Sequence, residues 1–325
     1  MPADRLSGQV VVIGSANLDV TVAVSRLPRE GETILGGELL LSNGGKGANQ
    51  AVAARRAGAE VRFLAKLGRD PFGDRIYRDL TAAGLPADGL LWDESASTGV
   101  ALIVVDRYGR NQIAVSPGSN QLLLPTVIAQ HESFLTHGTV MLVQLEIPIV
   151  TVERALQFAK THGMTTILNP APAAPLSDDL LRHTDLLTPN ETEAEALTGI
   201  TVSDLSSAAA AAKALLVRGP HVVIVTLGSQ GALLCTASVV QHLPAIPVEA
   251  VDTTAAGDAF NGALAAALAG KSRADLLHTD RLRLLEDAVR FANAAGALAA
   301  TKRGAQDSLP TKAEIERLLA GQLVS

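Results

Sequence analysis

The chain has 325 residues, more than one compact core usually holds, and a composition that is 47% hydrophobic and 18% charged excludes a disordered tether. A formal net charge of −6 with scattered Lys and Arg excludes a track for nucleic-acid phosphates, and the single Cys235 excludes an internal disulfide framework or a thiolate metal cluster. No leader and no membrane-length apolar run is read, so a reducing cytoplasm, without membrane or nucleic-acid partners, is the expected setting.

Residues 10–13 are a β-branched apolar run ending in Gly14-Ser15, which predicts a buried parallel strand and a turn. Residues 19–24 and 32–41 then predict a hairpin-like β pair, and the Gly-rich segment 42–50 precedes a predicted helix over 51–57. After a strand signal at 61–64, residues 98–105 and 112–116 predict a second β pair joined by a turn at 106–110. Further on, strand signals at 139–145, 165–168, 185–188 and 222–227 alternate with Ala-rich helix signals at 150–162, 191–198 and 206–217. That alternation predicts an α/β fold with helices on both faces of a central, mostly parallel sheet, and aromatic residues at only 3% suit such packing. The two β pairs interrupt the alternation. They predict a small β lid built from insertions at about 19–44 and 97–118 on a single domain spanning 1–325, since no Pro- or Gly-rich linker separates them.

The strongest chemical signal is Asp252-Thr253-Thr254-Ala255-Ala256-Gly257-Asp258, followed by an Ala-rich helical run. The small residues Ala255, Ala256 and Gly257 let backbone approach a ligand, and the first N–H groups of a helix lack internal partners, so this segment reads as an anion hole for a phosphoryl group. Asp258 falls in or just after the first turn. There the helix dipole favours its ionised form, which makes it a weak base; a loose phosphoryl-transfer transition state tolerates one. Alone, Asp258 reads first as a helix cap, since acidic residues are common there; its neighbours reverse that preference in favour of catalysis.

Gly44-Gly45-Lys46-Gly47-Ala48-Asn49-Gln50 offers backbone amides, a cation and an amide side chain to a polyhydroxyl ligand, or a simple tight turn. It is not a nucleotide-binding loop of the Gly-Lys-Ser/Thr type, and Gly270-Lys271-Ser272 fails the same pattern because Ala265 stands where Gly is needed. Asn17, Asp19 and Glu146 lie at the C-terminal ends of predicted strands, where open α/β sheets bind ligands. Thr226-Leu227-Gly228-Ser229-Gln230-Gly231 follows an apolar strand at the edge of the same crevice and suits a nucleotide. The carboxylates of Asn190-Glu191-Thr192-Glu193 suit Mg²⁺ held through water, or favourable charge in a first helical turn.

Together, 44–50, 252–258 and the Asn-x-x-Glu run at 190–193 resemble the ribokinase family of carbohydrate kinases, which includes adenosine kinase and fructokinase. Gly14-Ser15-Ala16-Asn17-Leu18-Asp19, Gln144-Leu145-Glu146, Asn169-Pro170-Ala171-Pro172 and Gly304-Ala305-Gln306 extend the resemblance over nearly the whole chain. It implies a three-layer α/β/α fold, transfer of the γ-phosphoryl group of ATP to the 5-hydroxyl of ribose, and Asp258 as catalytic base. It further implies a sugar held by Asn17, Asp19, Gly45, Lys46, Asn49 and Glu146, and ATP beside Asn190, Thr226, Gly228, Ser229, Gly231, Gly257 and Asn293. Mg²⁺ near Glu193 and K⁺ near Asp252, Thr254, Ala299, Lys302, Gly304 and Ser308 are also implied, as is a homodimer formed through the lid.

Kinases for deoxyribose, fructose or adenosine are the alternatives in the same class, and a non-catalytic sugar-binding regulator is the alternative outside it. Two departures stand out: Ala255 replaces a common Gly, and 271–285 is longer than is usual in the family, which is expected to alter the adenine edge.

Overall fold

The run at 10–13 is buried on both faces. Val10 and Val12 join one apolar cluster with Phe63, Ala51 and Leu264, while Val11 and Ile13 join another with Leu64, Met141 and Leu156. Burying each such side chain contributes about 1.5–3 kcal/mol, and the alternation places helices on both sides of the strand. The computed structural model describes residues 9–277 and 282–322.

In chain order the strands are β1 (Gln9–Ile13), β2 (Asn17–Val24), β3 (Leu39–Gly44), β4 (Glu60–Gly68), β5 (Leu90–Asp93), β6 (Gly99–Asp106) and β7 (Asn111–Ser116). They continue with β8 (Val140–Val143), β9 (Thr165–Leu168), β10 (Leu186–Leu187), β11 (Val222–Thr226), β12 (Ala232–Thr236) and β13 (Val240–Leu243). The larger sheet has the order β13-β12-β11-β10-β9-β8-β1-β4-β5 and is parallel except at β12 and β13. From β1 the chain first builds outward through β4 and β5, then returns to β8 on the other side. The order therefore reverses between β1 and β8, and the loops after these two strands flank the crevice that such a reversal leaves open.

The smaller sheet has the order β3-β2-β6-β7. Its second strand differs from the expected 32–41: only Leu39–Gly44 is strand, paired antiparallel with β2 from Asn17↔Gly44 to Val22↔Leu39. Gly36 and Gly37 supply no side chains to pack, and Gly37 N–H donates to Ala23 O (2.8 Å) before regular pairing begins. The strand then runs straight into the Gly-rich segment. Gly45, at φ 86°, turns the chain into a helix that starts at Lys46, five residues earlier than expected. Strand β8 stops at Val143 rather than 145, because Leu145 N–H turns to Ala171 O (2.9 Å), so Glu146 sits on a bend beyond the strand.

The helix Lys46–Arg56 packs across the helix Ala256–Leu268 at Gly262. A Cβ there would lie 2.5 Å from Ala53 Cβ and 2.6 Å from Gln50 O, so only glycine permits this crossing. The two chemically distinctive sequence segments meet because of it. The described part of the long segment 271–285 is anchored elsewhere: Arg273 pairs with Asp185 (2.8 Å), just before β10, at the sheet edge opposite the crevice. Residues 278–281 of that segment lie outside the described residues.

Candidate active site

Asp258 is the third residue of the helix Ala256–Leu268 and is buried. Its Oδ2 accepts from Asn49 Nδ2 (2.9 Å) and its Oδ1 from Gln50 Nε2 (2.9 Å). Both donors reach it because the helix begins at Lys46: positions 46, 49 and 50 then share one face. Glu146 receives the Lys46 N–H (2.9 Å) and the Ser15 hydroxyl (2.6 Å), which fixes it at the N-terminus of that helix where a carboxylate is favoured. Asn17 Oδ1 accepts from Asn120 Nδ2 (2.7 Å), and Asp19 lies against the Gly44 Cα, where a Cβ would fall 2.3 Å from its Oδ1. The structure thus gathers Asn17, Asp19, Gly45, Lys46, Asn49, Glu146 and Asp258 around the ends of β1 and β8.

The charges there are strongly coupled. Burial raises the Asp258 carboxyl above its ordinary value against the opposing pull of Lys46, Asn49 and Gln50, and Glu146 adds to the rise. The helix N-terminus had suggested a weak base; burial reverses the direction and makes Asp258 the better proton acceptor. Asp19 is pushed up to about 7 by burial and by the neighbouring Glu146 and Asp258. Burial by itself would depress the Lys46 ammonium, but Asp258, Glu146 and Glu193 hold it above its usual range. Asn49 Oδ1 is buried without a hydrogen-bond partner, an acceptor suited to a ligand hydroxyl.

A cavity of about 200 Å³ opens beside Lys46 and Asp258 and runs past Gly257 to Asn190, Glu193 and Thr226. An added Cβ at Gly257 would meet no atom within 4 Å, so the helix start faces open space, whereas Ala256 N–H closes a turn on Thr253 O (3.1 Å). Asn190 caps the helix Glu191–Thr198 in a reciprocal pair: Glu193 N–H donates to Asn190 Oδ1 (2.8 Å) and Asn190 N–H to Glu193 Oε2 (2.9 Å). Glu193 therefore caps its helix and also lines the cavity, and burial raises its carboxyl. Asn190 pairs with Thr226 in an isolated parallel bridge, which brings the turn Gly228–Gln230 to the same edge.

Asn293 lies apart from the Asp258 cavity. It is buried, and its Nδ2 donates to Leu243 O (2.9 Å), on which Gly231 also closes, since a Cβ at Gly231 would lie 2.3 Å from that oxygen. Asn293 thus holds the backbone wall behind Gly231.

Asp252 Oδ1 accepts from Thr254 N (3.0 Å) and Thr254 Oγ1 (2.5 Å), and its Oδ2 from Gly304 N (3.0 Å); the bonds to Thr254 and Gly304 keep its carboxyl low although burial opposes them. Asp252 N–H donates to Ala300 O (3.1 Å), so Asp252, Thr254 and Gly304 converge at the end of the helix Leu282–Ala300, where Ala299 lies and its carbonyl accepts from Lys302 N–H (3.2 Å). Lys302 points away to Glu314 (3.0 Å) and Ser308 donates to Ala305 O (2.8 Å), so Lys302 offers its backbone carbonyl alone. An oxygen-only set dominated by carbonyls fits an alkali cation. Among the described residues no group of three His, Cys, Asp or Glu is placed to hold a metal, so a divalent ion at Glu193 would draw most of its ligands from phosphates and water.

The sequence profile of the pfkB family carbohydrate kinases matches residues 7–312. The chain belongs to the pfkB family of carbohydrate kinases. It is 39% identical over 305 residues to the ribokinase of Haemophilus influenzae, covering 94% of this chain and 96% of that one. It is 36% identical over 312 residues to a deoxyribokinase of Salmonella typhimurium, covering 96% of this chain and 98% of that one. The solved structure of Arabidopsis thaliana ribokinase complexed with ribose and ATP superposes with a TM-score of 0.87 at 31% identity, over 97% of this chain and 99% of that one.

Within this pfkB carbohydrate kinase, sequence reasoning missed Gln50 and Asn120 and gave Ser15, Asn169 and Asn261 no role. The signal for Gln50 was available. It is one helical turn beyond Lys46, and became legible only with the helix start placed correctly.

Proposed function

We propose that this kinase transfers the γ-phosphoryl group of ATP to the 5-hydroxyl of D-ribose, giving D-ribose 5-phosphate and ADP. The observation that carries the reading is Asp258, buried between Asn49 and Gln50 at a helix start that opens on the cavity at Gly257. The Haemophilus relative is a ribokinase, and the Arabidopsis neighbour holds ribose and ATP.

In this reading Asn17, Asp19, Gly45, Asn49 and Glu146 hold the sugar, with the orphaned Asn49 oxygen accepting a hydrogen bond from a sugar hydroxyl. Asp258 accepts the proton of the attacking hydroxyl as the oxygen bonds to the γ-phosphorus and ADP leaves. The free N–H groups at the start of the helix and Lys46 stabilise the charge on the transferring group. The nucleotide lies along Asn190, Thr226, Gly228, Ser229 and Gly231, against the wall held by Asn293. Mg²⁺ near Glu193 would neutralise phosphate charge, and K⁺ among the oxygens of Asp252, Thr254, Ala299, Lys302, Gly304 and Ser308 would supply positive charge behind the anion hole.

The lid carries Leu39, Leu40, Leu102, Ile113 and Val115, each more than half exposed, and its proposed cover is the lid of a second copy. Light scattering that finds only monomers would overturn this. Among the described residues no helix is long and apolar enough to cross a membrane, and the proposed compartment is the cytoplasm, tested by cell fractionation.

The deciding experiment is a coupled ADP-release assay with ribose, deoxyribose, fructose and adenosine, with Mg²⁺ and K⁺ present or withheld. Ribose is expected to lead. A preference of about tenfold or more for another acceptor, about 1.4 kcal/mol in transition-state binding, overturns the assignment. Deoxyribose is the second reading because a deoxyribokinase is nearly as similar as the ribokinases.

A further inference from the structure

Behind the cavity runs a chain of buried amides that the base assignment does not by itself require. Gln50 is fully buried; its Nε2 donates to Asp258 Oδ1 (2.9 Å) and Asn169 Oδ1 (3.0 Å), and its Oε1 accepts from Gln144 Nε2 (2.6 Å). Asn169 Nδ2 donates to Thr188 O (3.0 Å), the Thr188 hydroxyl to Asn261 Oδ1 (2.6 Å), and Asn261 Nδ2 to Gly257 O (2.9 Å). The chain starts on the Asp258 carboxylate and ends on the peptide whose N–H belongs to Asp258 itself.

The direction of these bonds follows from chemistry. An ionised carboxylate only accepts, so Gln50 must turn its NH₂ toward Asp258 and its oxygen toward Gln144. Gln144 must then donate, which leaves its Oε1 buried without a partner. The other groups that bear on Asp258 are the amide of Asn49, which donates to Oδ2 (2.9 Å), and charged groups: Lys46 on the same helix, Glu146 after β8, Asp19 on β2 and Glu193 at the start of Glu191–Thr198. Gln50 holds the carboxylate without adding charge.

We propose that Gln50 is a positioning residue for phosphoryl transfer: it fixes the Asp258 carboxylate and, through Asn169, Thr188 and Asn261, the Gly257 peptide, so that base and anion hole are set as one unit. This rests on Asp258 being the base.

The test compares Gln50→Leu and Gln50→Glu in the full chain, with kcat, ribose KM and melting measured between about pH 6 and pH 9. In Gln50→Leu, kcat is expected to fall about 10- to 100-fold while ribose KM changes by less than about threefold. The acid limb of kcat/KM is expected to move to higher pH, because Asp258 loses a donor that favours its ionised form. Gln50→Glu keeps the shape of the side chain. It should work while the introduced carboxyl and Asp258 share one proton, and gain an alkaline limb, absent from the parent, when that proton leaves. A Gln50→Leu enzyme with kcat within about threefold of the parent and an unmoved pH profile overturns the proposal. If that variant does not fold, a Gln50→Glu profile without the new limb overturns it alone. Asp258→Asn assayed in parallel separates the two claims: normal turnover there overturns the base assignment and this inference with it, whereas an inactive Asp258→Asn beside an unaffected Gln50→Leu overturns this inference only.

Discussion

Replacing Asp19 with asparagine should stabilise the sugar-free protein, and only on the alkaline side. The Asp19 carboxyl is raised from 3.8 to about 7, first by burial and then by Glu146 and Asp258. At 1.36 kcal/mol per pH unit, ionising it in the folded protein costs about 4 kcal/mol more than in the unfolded chain. The folded state therefore binds this proton more tightly, carries more protons between roughly pH 4 and pH 7, and loses stability as pH rises through that window, levelling off above it. The asparagine side chain cannot ionise and escapes the loss. Differential scanning fluorimetry of parent and Asp19→Asn at about pH 4 and pH 8 should show the variant melting several degrees higher at the alkaline pH and close to the parent at the acid one, at the roughly 2–4 °C per kcal/mol expected of larger domains. Ribose should bind it more weakly. A melting difference independent of pH, or none at pH 8, refutes the electrostatic reasoning.

Two further outcomes follow from the packing around the site. Gly262→Ala places a methyl group 2.5 Å from Ala53 Cβ and should destabilise the protein by about 1–3 kcal/mol, read as a lower denaturant midpoint; an unchanged midpoint contradicts the proposed helix crossing. Arg56 donates to Gln306 O (2.9 Å) and Leu309 O (2.7 Å), tying the helix Lys46–Arg56 to the loop that carries Ser308. Arg56→Met should raise the K⁺ concentration needed for half-maximal activity by about fivefold or more, and an unshifted titration removes that link.

Much of this was legible from residue patterns. The buried strand at 10–13, the alternation behind it and the helix start after 252–255 are encoded locally, by apolar period and by small residues before a helix. The start of the helix at Lys46 was not, because it depends on Gly45 adopting φ 86° against a strand that the glycines at 36 and 37 had obscured. The error of five residues hid Gln50. The direction in which the Asp258 carboxyl is shifted was misread for a different reason. A helix N-terminus acts through local geometry, whereas burial of Asp258 arises from two helices crossing at Gly262, a contact between residues more than 200 positions apart. Asn293, assigned to the nucleotide by resemblance, turned out to hold the Leu243 carbonyl, which no local pattern predicts.

The central claim is that Asp258 takes the proton from the sugar. Asp258→Asn keeps the size of the side chain and removes the proton acceptor. Single-turnover ADP release should fall by about 10²- to 10⁴-fold, while calorimetry still detects ribose binding to the folded variant. Turnover close to that of the parent would contradict the account.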